Sequence, residues 1–342
     1  MEVWIAGSNV AGTAREVARR AEDEGFDGVS FGDTQCINAD PFVGLTAAAL
    51  VTTTLKLEVG VTNPVTRHPA VTACSVASLQ VESGGRAVLG IGRGDSAVSR
   101  LNLPAAPVEA LETYVTRLQR YLAGEVVDLD GKETRLEWLG PLSLPKVPVD
   151  VAATGPAVTA VGARLAERVT FNVGADPQRI SRSIDLVRHA RLAAGLEPTA
   201  LSLGAWIPVA PHPSVAAARR LVKGVTAVYA RFQAMPGYPA DAVPAEDAGV
   251  IRALGEHYDN SRHGRADATH VALLEDDFID RFAVVGTAEQ CVEKLWGLTE
   301  LGLDRFLMVG PNRLGSPDDY VASRRLLTEV VIPELRRLER TR

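Results

Sequence analysis

Read only as apolar and polar positions, the chain repeats one alternation: a short apolar run, then a longer segment whose apolar residues recur every three or four positions. The first apolar run is Val3–Ala6. Thr13–Glu24 follows, with Ala14, Val17, Ala18 and Ala21 on one helix face and Arg15, Glu16, Arg19, Arg20 and Glu22 opposite. Gly25 stands where a left-handed residue stops a helix. The same unit recurs to the end of the chain. Further strands are expected at Gly28–Phe31, Leu57–Val61, Ala87–Ile91, Pro148–Ala153, Val169–Asn172, Leu201–Ile207 and Arg305–Val309. Further helices are expected at Pro41–Thr53, Ala70–Ser83, Pro107–Ala123, Ala157–Glu167, Pro177–Ala194, Ser214–Phe232, Ala288–Leu301 and Pro317–Arg337. Eight strands alternating with helices predict a single-domain α/β protein over residues 1–342, a (β/α)8 TIM barrel. An open doubly wound sheet with a second small domain leaves one of those strands without a place.

Two stretches interrupt the rhythm as insertions. Residues 124–146 read as a hairpin, with Val126–Leu129 and Thr134–Trp138 flanking the turn signal Asp130-Gly131. Residues 235–280 open on Met235-Pro236-Gly237-Tyr238-Pro239. They continue through a helical pattern near Ala245–Tyr258 and a polar stretch Asn260–Asp267 to the acidic Glu275-Asp276-Asp277. A long insertion at the C-terminal face of a barrel is expected to form a lid or substrate wall, a dimer contact being the other reading.

Composition narrows the function classes. With 46% hydrophobic and 23% charged residues the chain can bury a sizeable core. No apolar run approaches the roughly 20 residues of a membrane span, and no basic start with a long hydrophobic region marks a secretory signal, so a cytoplasmic protein is expected. The formal net charge is −6 and the basic residues are dispersed, which argues against nucleic acid as a partner. Cys36, Cys74 and Cys291 are too few and too far apart for a disulfide framework or a metal knuckle. His189, His212, His257, His263 and His270 lack metal-ligand spacing, His257 and His263 reading as part of an exposed polar loop, and no GxSxG nucleophile elbow occurs. What remains is chemistry on a bound organic cofactor.

Three loops that follow strands carry the polar groups for it. In Gly60-Val61-Thr62-Asn63-Pro64-Val65-Thr66-Arg67-His68-Pro69, two prolines hold the backbone in one shape. The plain alternative is a rigid turn capping the next helix. In Leu89-Gly90-Ile91-Gly92-Arg93-Gly94-Asp95-Ser96-Ala97, Asp95 occupies the position of the third dinucleotide-fingerprint glycine, so a Rossmann reading is weak. Glycines such as Gly92 still admit a flat ring close to the backbone, and Asp95 is either a helix cap or a substrate contact. In Val151-Ala152-Ala153-Thr154-Gly155-Pro156-Ala157, a strand turns directly into a helix whose N-terminal amides suit a phosphate, an ordinary N-cap being the alternative. Thr287 is expected to cap Ala288–Leu301.

Together these three runs resemble the luciferase-like monooxygenase superfamily, and within it the coenzyme F420-dependent methylenetetrahydromethanopterin reductase branch. The resemblance implies a bacterial luciferase-like barrel with a flavin or deazaflavin across its C-terminal mouth, and a non-prolyl cis peptide in a bulge of the third strand. On this chain that bulge is Gly60-Val61, braced by Thr62-Asn63-Pro64 behind the ring. Ala153, Thr154, Gly155 and Pro156 would meet the cofactor side chain or phosphate, with Gly92 also at the cofactor. Asp33, at the end of the second strand, matches a position near ring and substrate, and Asp33 and Asp95 are the expected catalytic, proton-handling residues. The methanopterin reductases carry a glutamate at the end of the first strand, where this chain has Ala6. The pterin reaction is therefore not the expected one. What is expected is an F420-dependent oxidoreductase passing hydride between the deazaflavin and an electron-poor C=N, C=C or C=O of a small molecule. The alternatives are a two-component FMN-dependent monooxygenase using reduced flavin and O2, and a non-catalytic flavin-binding homologue. The resemblance also implies a homodimer, sought on the apolar faces Ala47–Val51 and Val71–Leu79, and a flavin or F420 reductase supplying reduced cofactor.

Overall fold

The computed structural model describes residues 1–140, 143–235, 237–239, 242–312 and 316–342. Its core is built by strands β1 (Glu2–Gly7), β2 (Gly28–Phe31), β3 (Lys56–Thr62) and β4 (Ala87–Ile91), then β7 (Val149–Ala153), β8 (Arg168–Phe171), β9 (Ser202–Pro211) and β11 (Arg305–Val309). All eight run parallel, and the pairings β1 with β11, β11 with β9 and β9 with β8 close the sheet into a barrel. Every residue of β2, β4 and β8 is buried, because a parallel strand between the barrel interior and a helix layer has no wet face. A short strand, β10 (Val284–Gly286), adds to the far end of β9.

The helices α1 (Ala14–Asp23), α2 (Pro41–Ala49), α3 (Pro69–Glu82), α5 (Val108–Leu122), α6 (Pro156–Leu165), α7 (Pro177–Ala193), α8 (Val215–Arg231) and α11 (Ala288–Leu301) surround the barrel. One-turn α4 (Ser96–Ser99) follows β4, and α9 (Ala248–His257) and α10 (Asp276–Phe282) lie within the 235–280 stretch. The C-terminal α12 (Pro317–Leu326) and α13 (Ile332–Thr341) join through a π-helical turn at Leu327–Val331. That turn falls just before Pro333, whose ring would meet the Glu329 carbonyl in a regular α-helix. The expected helix Pro317–Arg337 is therefore two helices and a bulge. Among the described residues no helix is long and apolar enough to cross a membrane.

The hairpin forms with a corrected second strand: β5 (Val127–Leu129) pairs with β6 (Lys132–Thr134), not with Thr134–Trp138. Asp130 and Gly131 both have positive φ, the geometry of a two-residue turn, which sets Lys132 directly opposite Leu129. Within 235–280, Pro236, Ala240 and Asp241 lie outside the described residues, as do Pro141 and Leu142 of 124–146. The rest of 235–280 packs on α8 through a second apolar cluster that includes Leu221, Ile251, Leu254, Phe278 and Phe282. Fully buried Asp247 pins this cluster to α7, accepting from Arg179 Nη2 at 2.6 Å and from Arg281 Nη2 at 2.5 Å.

Candidate functional site

The C-terminal ends of the strands surround a cavity of about 410 Å³, within the usual range of small-molecule sites. Its floor is made by β3. The register of β3 on β4 runs Leu57↔Ala87, Glu58↔Val88, Val59↔Leu89 and then jumps to Thr62↔Ile91, and inside that bulge the Gly60–Val61 peptide is cis, where the family resemblance implies it. Glycine is needed around it for space. A Cβ on Gly60 would fall on Ser30 Oγ, one on Gly90 would lie 2.5 Å from the Val59 carbonyl, and one on Gly92 would lie 3.3 Å from Val61 Cγ2.

The next residues fold into a turn organised by Asn63. Its Oδ1 accepts from the N–H groups of Val65 and Thr66, each at 3.0 Å. Its buried Nδ2 has no partner, in a residue that lines the cavity. Asn172 Oδ1, Ser30 Oγ and Trp206 Nε1 are likewise buried and unpaired, in residues that line the same cavity. Four unmet hydrogen-bonding atoms at one pocket are groups that a polar ligand satisfies.

One wall is the N-terminus of α6. Asp40 caps α2 and Asp176 caps α7, but no side chain caps α6, whose N-cap is Gly155 and whose first turn starts with Pro156. Thr154, Gly155, Ala157 and Val158 border the cavity, so the positive end of the helix dipole opens onto it. The opposite region is aromatic. Trp206 stacks on Tyr229 at 5.8 Å between ring centroids, and Phe232 meets Tyr229 edge-on at 5.9 Å. Burial pushes the Tyr229 phenol far above its ordinary pKa and so keeps it protonated.

At the rim, the Asp95 carboxylate makes no helix cap and instead pairs with Arg231. Arg231 lies over the Tyr258 ring at 4.4 Å, and the Tyr258 hydroxyl bonds His263 Nδ1 at 3.0 Å. His263 lines the cavity wall, a correction to its reading as part of an exposed loop, and burial pulls its imidazole down to about 4, leaving it neutral at pH 7. His257 is exposed.

The expected site residues divide into two groups. Gly60, Val61, Asn63, Gly92, Asp95, Thr154 and Gly155 line the cavity, whereas Asp33, Thr62, Ala153 and Pro156 are not among its lining. Asp33 is 3% exposed and accepts from Thr62 Oγ1 at 2.7 Å and Arg67 Nε at 2.9 Å, while Arg67 Nη2 also reaches Asp40 at 2.7 Å. His68 caps α3, its Nδ1 accepting from Ala70 N–H, and Thr287 caps α11 in a full capping box. Ala6 and Gly7 line the cavity and place no carboxyl there. Sequence reading missed Ser30, Asn172, Trp206, Tyr229, Phe232 and Tyr238. Asn172 was findable, since it directly follows β8 on the functional face of a barrel, but nothing in the pattern of α8 marks Tyr229 or Phe232 as cavity residues.

Comparison with known proteins fits this geometry. The chain is 27% identical over 303 residues to the 5,10-methylenetetrahydromethanopterin reductase of Methanolobus tindarius, covering 86% of this chain and 90% of that protein. It is 26% identical over 341 residues to an F420-dependent glucose-6-phosphate dehydrogenase of Beutenbergia cavernae, covering 94% and 92%. The solved structure of the coenzyme F420 dependent tetrahydromethanopterin reductase from Methanopyrus kandleri superposes with a TM-score of 0.75 at 23% identity, covering 98% of this chain and 99% of that one. The luciferase-like monooxygenase family model matches residues 3–305, which includes all three loops that build the cavity, and the chain belongs to that family.

Proposed function

We propose that the protein is an F420-dependent oxidoreductase that passes hydride between the deazaflavin and an electron-poor C=N, C=C or C=O of a small molecule. The observation that carries this reading is the division of one cavity into a polar floor with unmet hydrogen-bonding atoms, an open helix N-terminus at its side, and an aromatic chamber. Relatives of nearly full length that differ in substrate, a pterin reductase and an F420-dependent sugar-phosphate dehydrogenase, support the cofactor and leave the substrate to this chain's own residues. The methyl of Ala6 gives no support to pterin chemistry.

A bound deazaflavin supplies a ring carbon that accepts and returns hydride. The residues present fit it: Gly60 and Val61 would back the ring, Asn63 and Asn172 would meet its polar edge, and Thr154, Gly155 and the α6 amides would hold a phosphate. The aromatic chamber excludes water and orients the substrate. Asp95, facing the cavity beside Arg231, is the carboxylate placed to move a proton, and Asp33 acts as a positioning residue that ties Thr62 to Arg67. Parallel titration with F420 and FMN tests the cofactor, and a preference for FMN makes the two-component monooxygenase with a reductase partner the better reading.

A homodimer fits the outer faces of α2 and α3. Val43, Leu50, Val71 and Val81 are exposed there, and α2 carries no charged residue. Leu50→Lys is expected to shift the protein from dimer to monomer in analytical ultracentrifugation, and an unchanged sedimentation coefficient removes this face as the interface. The three cysteines are unpaired, one of them exposed, which suits a reducing cytoplasm.

A further inference from the structure

Beneath the cavity floor lies a carboxyl that the proposed chemistry does not use. Glu58 is on β3, two residues before the bulge, and is 3% exposed inside the barrel. A Cβ on Gly60 would fall on Ser30 Oγ and lie 3.3 Å from Glu58 Oε2, and the pairing of β2 with β3 sets Ser30 directly beside Glu58. A Cβ on Gly90 would lie 3.5 Å from Glu58 Oε1. Ser30 lines the cavity and Glu58 does not, so Ser30 is the hydroxyl through which the carboxyl can act on a ligand. Neither Ser30 Oγ nor Glu58 Oε2 makes a hydrogen bond of ordinary geometry to any other group, and the Ser30 hydroxyl is near enough to act on the Glu58 carboxyl.

The charged groups facing Glu58 are Asp150 on β7, Arg168 on β8 and Arg305 on β11, with Glu2 on β1 and Lys56 on β3 beyond them. Neither arginine donates to Glu58. Arg305 Nη2 is taken by Asp150 at 2.7 Å and Thr170 at 2.6 Å, and Arg168 is paired with Glu2, which also holds Lys56. An ionised Glu58 would be a buried third carboxylate with no direct cation.

We infer that Glu58 is a neutral carboxylic acid in the resting protein and that Ser30 relays its proton to the ligand on the cavity floor. The inference rests on the proposed hydride transfer at that floor. A deazaflavin held on that floor would supply the acceptor for a hydride and its electron pair, the oxidised substrate would lose its own proton to Asp95 at the rim, and one negative charge would then have to be met at the floor. Ser30 would give its O–H proton to the ligand it meets while Glu58 gives its own O–H proton to Ser30 Oγ. Serine ends unchanged, and the negative charge ends on Glu58 within the field of Arg305 and Arg168. In the reverse direction the same groups collect the proton. Burial first, and then Asp150, push the Glu58 carboxyl up to about 8, against the pull of Ser30, Arg305 and Arg168, so it can give and regain a proton near neutral pH. Ser30 is thus the residue that touches the ligand, and Glu58 acts through it.

Infrared difference spectroscopy of the ligand-free protein tests the first half. The carbonyl stretch of a buried carboxylic acid is expected at about pH 6, lost by about pH 9, and absent from Glu58→Gln. If no band titrates, or if it persists in the variant, Glu58 does not hold the proton. The second half is read by calorimetric titration with F420 at the two pH values. Binding is expected to weaken several-fold at the higher pH in the parent and to be flat in Glu58→Gln and in Ser30→Ala. An equal pH dependence in parent and Ser30→Ala overturns the relay. A Glu58→Gln protein that does not fold counts against a neutral Glu58, because glutamine reproduces the neutral acid, and Ser30→Ala still tests the relay. Absence of any F420 binding overturns the proposed function and with it the relay, while the infrared band still decides the charge of Glu58.

Discussion

Asp33 and Glu58 are both buried carboxyls near the cavity floor, and their neighbours give them opposite characters. Asp33 meets a guanidinium and a hydroxyl at once, so its charge is answered and holds together the loops after β2 and β3. Asp33→Ala leaves Arg67 with only Asp40 and is expected to lower stability by about 2–4 kcal/mol in urea denaturation. A loss well under 1 kcal/mol contradicts the tie. Glu58 has no such answer. Its pKa stands at about 8 in the folded protein against an ordinary 4.5, so the folded state resists ionisation and its stability falls as pH rises from about 4.5 to about 8. Glu58→Gln removes that loss. Its melting temperature is expected to sit near the parent's at about pH 5 and above it at about pH 9, reflecting a stability difference on the order of a few kcal/mol at most. The family resemblance marks Asp33 at the end of the second strand, but its partner is 34 residues away along the chain. Ser30 and Glu58 are polar positions inside buried strands, and only the register of β2 on β3, which pairs Ser30 with Glu58, shows that they are neighbours.

At the scale of elements, α6 is the helix whose chemistry the sequence states most fully. Gly155-Pro156 after a strand predicts an N-terminus opened at the barrel mouth, and the structure places it against the cavity with no capping side chain. Ala157→Asp sets a carboxylate in that first turn, which suits the helix dipole and repels an anion. Melting temperature is expected to hold or rise slightly while F420 affinity falls about tenfold. Unchanged affinity means that no phosphate sits there. The hairpin shows what local pattern leaves open: Asp130-Gly131 was legible as a turn, yet the second strand starts directly after it because a two-residue turn fixes the register. β10 and α10 were not legible, since three residues added to an edge and seven that begin within an acidic run carry too little periodicity.

For the molecule as a whole, the barrel was legible because its βα unit recurs along the chain, and each strand expected from the apolar runs is present. The chamber above the floor was not. Trp206, Tyr229, Tyr238 and His263 come from a strand, a helix end and two parts of the 235–280 stretch, and they converge only because Asp247 and the Phe278–Phe282 cluster anchor that stretch to the barrel. Such convergence is a property of packing, which no single window of sequence contains. Whether this cavity is built for a deazaflavin is read by tryptophan-quenching titration of the purified protein with F420 and FMN side by side. Saturable F420 binding at least tenfold tighter than FMN, about 1.4 kcal/mol or more, is expected. Tighter binding of FMN, or no saturation by F420, contradicts it.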